Sequence, residues 1–139
     1  MDIENTIKKF LLREHIVFQE HSFPNNPGLL VLTFDYDNDS YNIRINEKRG
    51  QFTIKAFTVT LDMLLVFKIM PKINELNQTM YGNFSWYEKD FFAYLLTCQV
   101  DQLCVGGITI NEQLVLKTFA KVYKGVKALD GLLGTKKYQ

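Results

Sequence analysis

The sequence predicts an α+β protein built on one antiparallel sheet, with the element order helix-strand-strand-strand-helix-strand-strand-helix. Several short segments have apolar residues at every second position and end at turn residues, which is typical of antiparallel hairpins. Three longer segments have apolar residues at spacings of three and four, which is typical of amphipathic helices. The 139 residues are 47% hydrophobic and 22% charged, and this predicts a single folded domain over 1–139.

The first part of the chain predicts one helix and three strands. The helix covers 2–14, because four apolar side chains fall on one face, and the prolines and asparagines in 15–28 predict a loop. The strands are predicted at 29–36, 41–46 and 51–61. In the third strand the apolar positions change side at Ala56–Phe57, which predicts either a β-bulge or a strand covered on both faces.

Residues 62–80 allow two interpretations. Ile69, Ile73 and Leu76 have helical spacing, and Pro71 suits the first turn of a short helix. Alternatively, Asp62 caps a longer helix that is kinked at Pro71. We favour the short helix.

The remaining chain predicts a hairpin and a long helix. The strands are predicted at 81–87 and 91–100 around a turn at 88–90, and a Thr109–Glu112 capping box opens the helix. Apolar residues recur along that helix from Val115 to Leu133. The strand over 91–100 is apolar at nearly every position, which predicts that both of its faces are covered, the second by either a partner or a helix.

The middle of the chain resembles a known family. The segments Ile73-Asn74-Glu75-Leu76-Asn77 and Tyr81-Gly82-Asn83-Phe84, followed by the hairpin and the capped helix, resemble the YbjN family of bacterial sensory-transduction regulators. That family shares the fold of the type III secretion chaperones. The resemblance implies a chaperone-like α+β domain that forms homodimers and binds a protein segment without turning over a substrate. Secretion chaperones are typically acidic, whereas this chain has a pI of about 7.7.

The asparagine pair and the apolar strand supply the candidate interface. Asn74 and Asn77 share a helix face, where each amide can bond a backbone group at a strand end or pair across a symmetry axis. The expected interface with a protein partner or a second copy comprises Ile73, Asn74, Asn77, Phe92, Tyr94 and Leu96.

The motifs of catalysis and metal binding are incomplete. His15 and His21, like Cys98 and Cys104, are separated by more residues than paired zinc ligands. The Asp35-x-Asp37-x-Asp39 pattern lacks the glycine and glutamate of a calcium loop, so we interpret it as a hairpin turn. With no nucleophile elbow or phosphate loop either, we expect no catalytic residue, metal or cofactor.

The net charge of +1 conceals two unequal halves, because residues 111–139 sum to +4 and the rest to −3. Four lysines on one face of the last helix are candidates for binding an anion, although such faces are ordinarily only solvated: Lys117, Lys121, Lys124 and Lys127. We do not expect a nucleic-acid or membrane partner, and without a signal peptide or membrane span we expect a cytoplasmic protein.

Two other functions remain open at the level of sequence. One is a small-ligand protein or enzyme with aromatic residues lining a pocket on the sheet: Tyr36, Tyr41, Trp86 and Tyr94. The other is an anion or nucleic-acid binder that uses the four lysines. We favour the non-catalytic protein-binding module.

Overall fold

A computed structural model describes residues 2–78, 83–90, 93–104 and 109–133, with only the backbone at 58–66, 83, 85–90, 93–95, 132 and 133. The helices are α1 Asp2–Arg13, α2 Met63–Asn77 and α3 Glu112–Leu133. The strands are β1 Gln19–Ser22, β2 Leu29–Tyr36, β3 Asp39–Asn46, β4 Gln51–Asp62, β5 Asn83–Asp90 and β6 Ala93–Leu103. Among these residues no helix is long and apolar enough to span a membrane.

The strands form one antiparallel sheet of six, in the spatial order β1-β2-β3-β4-β6-β5. The α+β class and the three helices are confirmed in the predicted order. Strands β1 to β4 are neighbours in both sequence and space. After β4 the chain forms α2 and then the edge strand β5, and β6 lies between β5 and β4 in the sheet.

The prediction of a loop over the whole of 15–28 is wrong, because β1 lies inside it. All four residues of β1 are exposed, so the strand has no alternation of buried and exposed side chains. It is held by backbone pairing to β2, from Gln19 opposite Thr33 to Ser22 opposite Leu30. Pairing of this kind leaves little trace in hydrophobic periodicity.

The bulge predicted in the third strand of the sequence is present. Phe57 pairs with Thr97 and Thr60 pairs with Leu95, so two residues of β4 stand opposite one residue of β6. An extra residue of this kind turns every following side chain to the other face of the sheet. The apolar positions change side at Ala56–Phe57 in the sequence because the bulge follows directly after them.

The preference for a short helix after Pro71 is wrong. Strand β4 runs to Asp62, and α2 begins at Met63 and passes through Pro71. A proline inside a helix removes one hydrogen bond and costs about 3 kcal/mol. Burial of Ile69 and Ile73, which are 7% and 1% exposed, offsets that cost by anchoring the helix on both sides of the proline.

The second hairpin differs from its predicted bounds. Strand β5 continues through the charged triplet that predicted a turn, with a register irregularity between Glu88 and Asp90, and β6 begins at Ala93. Because β5 is an edge strand, charged residues are tolerated in it and discourage pairing with other chains. Position 91, the predicted start of the last strand, lies outside the described residues.

The prediction that Thr109 caps the last helix is also wrong. The Leu114 backbone N–H donates to the Asn111 side-chain oxygen at 2.9 Å, so Asn111 is the N-cap and α3 begins at Glu112. The apolar stripe predicted along this helix is confirmed by its buried members, namely Val115, Phe119, Val122, Val126 and Leu129.

The core lies on one face of the sheet, where all three helices contribute buried residues. Strand alternation supplies the sheet side, with Tyr41, Ile43 and Ile45 of β3 buried and the positions between them more exposed. The other face is polar along the middle strands, because it carries the intervening side chains. The outward side of β3 and β4 therefore remains open to solvent.

Candidate functional site

A hollow with apolar and aromatic walls opens between α1, the end of β2 and α3. Its volume is about 230 Å³. We call it the aromatic cleft; it is lined by Phe10, Glu14, Ile16, Tyr36, Leu116, Phe119, Ala120 and Tyr123. Leu116 and Tyr36 are 41% and 37% exposed, whereas Phe119 is 7% exposed and lies beneath them.

A set of rings in edge-to-face and tilted contact builds the floor of the aromatic cleft. The Phe119 ring centroid lies 5.2 Å from that of Tyr36, 5.3 Å from that of Tyr41 and 6.0 Å from that of Phe10. Tyr36 also contacts Tyr123 at 5.7 Å. Contacts at these distances and angles are the favourable ones for aromatic rings, so the walls are held in place before any ligand arrives.

The β2–β3 hairpin is fastened to α3 beside the cleft. Its two loop residues, Asp37 and Asn38, have φ of 50° and 70°, as a tight two-residue hairpin loop requires. The Asp37 carboxylate accepts the Tyr123 hydroxyl at 2.9 Å and pairs with Lys127 Nζ at 2.5 Å. Hydrogen bonding to Asp37 is the main cause that raises the pKa of both Tyr123 and Lys127.

The end of α1 closes the other side of the cleft. The Ile16 N–H bonds the Leu11 carbonyl and the His15 N–H bonds the Leu12 carbonyl, with His15 at φ 57°. This is a Schellman ending, in which a left-handed residue reverses the chain. It directs Ile16 back against the core, where it is 7% exposed and forms part of the cleft wall.

The size of the aromatic cleft limits what it can hold. Pockets for small molecules and cofactors usually measure about 300–1,000 Å³. A hollow of about 230 Å³ falls below that range and suits one or two apolar side chains.

Of the residues predicted to line a pocket on the sheet, Tyr36 lines the cleft, and Tyr41 lies below it. Tyr41 also lines a separate hollow of about 350 Å³ on the sheet, together with Phe34 and Phe57. The side chains of Trp86 and Tyr94 are outside the described residues.

Asn77 has the role anticipated for one member of the asparagine pair. Its side-chain oxygen accepts the Phe84 backbone N–H at 2.6 Å, and its side-chain nitrogen donates to the Phe84 carbonyl at 3.2 Å. One amide thus satisfies both backbone groups of a residue at the start of β5. Asn74 is exposed on the same helix.

Of the other candidate interface residues, two are buried in the core and two have no described side chain. Ile73 and Leu96 are 1% and 0% exposed and pack within the core of the chain itself. Phe92 lies outside the described residues, and of Tyr94 only the backbone is described. On the outward face of β6, Thr97 is buried and Asp101 is exposed.

The four lysines of α3 do not form a uniform surface. Lys117, Lys121 and Lys124 are exposed. Lys127 is engaged by Asp37 and lies 3.8 Å from Asp130, and its Nζ is 5.1 Å from the Tyr123 ring centroid. Its charge is therefore largely compensated within the chain.

Both cysteines are free thiols whose pKa is raised by burial. Cys98 is fully buried, and burial raises the pKa of its thiol to about 12. Burial likewise raises the pKa of the Cys104 thiol. In the part of the chain that the structure describes, no three or more residues of the metal-ligating types come together.

No family model and no curated protein matches the chain. Among solved structures it is similar to the crystal structure of an uncharacterized protein from Methanothermobacter thermautotrophicus, with a TM-score of 0.70 and 12% sequence identity. The match covers 93% of this chain and 94% of that chain, and at this identity it shows the shared fold.

The aromatic cleft was not predicted as a site from the sequence. Phe119 was expected only as part of a core stripe, and Leu116 and Phe10 were not associated with a surface. The signal available was the proximity of Leu116, Phe119 and Tyr123 on one helix, at spacings of three and four.

Proposed function

We propose that this protein is a non-catalytic binding module that receives an apolar side chain of a protein partner in the aromatic cleft. The observation that carries the proposal is an open, preformed hollow of about 230 Å³ between Leu116, Tyr36 and Phe119. Aromatic walls that are already fixed lose little freedom on binding, as the anchor pockets of protein interfaces do. The resemblance to the YbjN family and to secretion chaperones, which bind protein segments in the cytoplasm, supports the same role and the same fold class.

The cleft predicts a specific loss of peptide binding. Peptides selected on the protein from a random displayed library should share a large apolar residue. Leu116→Lys places a charge at the mouth of the cleft and should weaken these peptides by about tenfold or more, because burying one such side chain is worth about 1.5–3 kcal/mol. Fluorescence anisotropy with the labelled peptides measures the change.

Leu103→Lys is the matched control, since Leu103 is 51% exposed and lies outside the cleft. It makes the same chemical change and should leave the affinity within about twofold. Peptides without an apolar anchor, or equal losses in the two variants, would show that the cleft is not the binding site.

We also propose that the module works as a homodimer that pairs through the exposed face of α2. Phe67 is 64% exposed, and Pro71 and Asn74 continue the same face at spacings of four and three. A large exposed ring on a helix face is suited to a two-fold interface, in which each copy presents the same patch.

Light scattering at micromolar concentration should therefore give twice the mass of the chain. Phe67→Glu should give the mass of one chain, because it places two like charges across the symmetry axis. Leu12→Glu is the control, since Leu12 is 65% exposed on α1 and should leave the dimer intact. A monomeric native protein would remove the dimer from the proposal.

A further inference from the structure

The open face of the sheet carries a second hollow, away from the aromatic cleft, and we propose that it binds a small phosphate-bearing ligand. The hollow measures about 230 Å³. We call it the basic pocket; it is lined by Leu29, Arg44, Asn46, Arg49, Gln51, Thr53, Lys55, Gln99 and Asp101. Three of these side chains are cations and one is a carboxylate, so the pocket carries a net positive charge.

Strand register explains why these residues meet. Arg44 of β3 stands opposite Thr53 of β4, and Thr53 stands opposite Asp101 of β6. Lys55 is two residues beyond Thr53 and therefore lies on the same face of the sheet. It is the diagonal neighbour of Arg44. Arg49 reaches the pocket from the β3–β4 turn, where its N–H bonds the Asn46 side chain at 3.2 Å.

The three cations of the basic pocket have no ion-pair partner in the described part of the chain, since no carboxylate there lies within ion-pair distance of Arg44, Arg49 or Lys55. Lys55 Nζ lies 5.4 Å from the Phe57 ring centroid, which does not neutralise its charge. The Asp101 carboxylate is occupied instead by the Thr53 hydroxyl, which donates to it at 2.6 Å.

Long side chains at diagonal positions of a sheet lie within reach of each other, so Arg44 and Lys55 can contact one anion together. Arginine offers paired N–H groups that match a phosphate, and lysine adds a point charge beside them. The amides of Asn46, Gln51 and Gln99 supply further hydrogen-bond donors at the rim. At about 230 Å³ the basic pocket is also smaller than the usual site for a whole cofactor, so it fits a ligand no larger than a phosphate or diphosphate group. Its three cations form a compact cluster, whereas a nucleic-acid backbone requires an extended basic stripe.

Calorimetric titration with pyrophosphate at low salt tests the assignment. Saturable binding is expected, and Arg44→Gln with Lys55→Gln should weaken it by about tenfold or more. Lys121→Gln with Lys124→Gln is the matched control, because it removes the same charge from exposed positions on α3 and should change the affinity by less than about twofold. No saturable binding, or equal weakening by both double variants, would overturn the proposal.

Asp101→Asn gives a change in the opposite direction, which loss of folding cannot imitate. Asparagine keeps an oxygen for the Thr53 hydroxyl but removes the one negative charge in the pocket. It should tighten pyrophosphate binding by about threefold or more, and unchanged or weaker binding would contradict the site. A single-stranded oligonucleotide that binds more tightly than pyrophosphate and depends on the same residues would overturn the assignment to a small ligand.

Discussion

Phe119→Ala is expected to lower the free energy of unfolding by about 3–5 kcal/mol, the range for removing a ring from a protein core. The Phe119 ring is 7% exposed and lies within 5.2–6.2 Å of four other rings, counted between centroids: Phe10, Phe34, Tyr36 and Tyr41. These rings belong to α1, β2 and β3, so the cavity left by the substitution would touch three elements at once. Urea denaturation followed by circular dichroism measures the change.

Leu116→Ala is the control on the same helix. Leu116 is 41% exposed at the rim of the aromatic cleft, so its truncation should cost less than about 1 kcal/mol. If the two substitutions destabilise the protein equally, Phe119 does not hold the arrangement of rings described here. A decrease in the free energy of unfolding of less than about 1 kcal/mol for Phe119→Ala would also contradict this role of Phe119.

Asn77→Ala is expected to cost about 2–4 kcal/mol, a large effect for a polar residue. The substitution removes two hydrogen bonds at once and leaves the N–H and the carbonyl of Phe84 without their partner. A lost hydrogen bond costs about 0.5–1.5 kcal/mol net, and an unsatisfied buried group costs about 1–3 kcal/mol. Alanine is otherwise well suited to a helix, so its helical propensity does not add to the loss.

Lys72→Ala provides the comparison, because it truncates an exposed polar side chain on the same helix, away from the face that carries Phe67 and Asn74. Its loss should change the free energy of unfolding by less than about 0.5 kcal/mol. Asn77→Asp separates the two bonds, since aspartate can accept the Phe84 N–H but cannot donate to its carbonyl. Denaturation curves in which the Lys72 and Asn77 variants coincide would refute the assigned role.

Much of the fold is encoded locally and was predictable for that reason. The alternation of β3, the apolar stripes of α1 and α3 and the change of side before the β4 bulge are each visible in a short window of sequence. The bonding of Asn77 to a strand end was one of the two roles that the sequence left open for the asparagine pair. The helices and strands among these features follow from the spacing of apolar residues within a single element.

The features that sequence reasoning missed depend on distant residues. Strand β1 is held by backbone pairing to β2 and has no buried side chains. The beginning of α2 at Met63 depends on the core that receives Ile69, which outweighs the unfavourable Pro71. Propensity and periodicity report neither effect, since both act through tertiary contacts.

The two sites could not be located for a related reason. The aromatic cleft combines residues from α1, β2 and α3, and the basic pocket combines residues from β3, β4 and β6. Alternation in β3 indicated that Arg44 lies on a solvated face, but only the register shows that Thr53 and Lys55 lie beside it. A one-residue slip would have placed Lys55 on the opposite face.

The order of strands in the sheet has a consequence for how the chain reaches its fold. Hairpins from β1 to β4 close short loops, whereas pairing of β4 with β6 joins residues as far apart as Gln51 and Leu103. Closing such a loop costs more chain entropy, and contacts between distant residues slow folding. The hydrogen bonds between Asn77 and Phe84 lie inside this loop. In the folded protein one side-chain amide thus holds the end of α2 to the start of β5, inside the segment that separates β4 from β6.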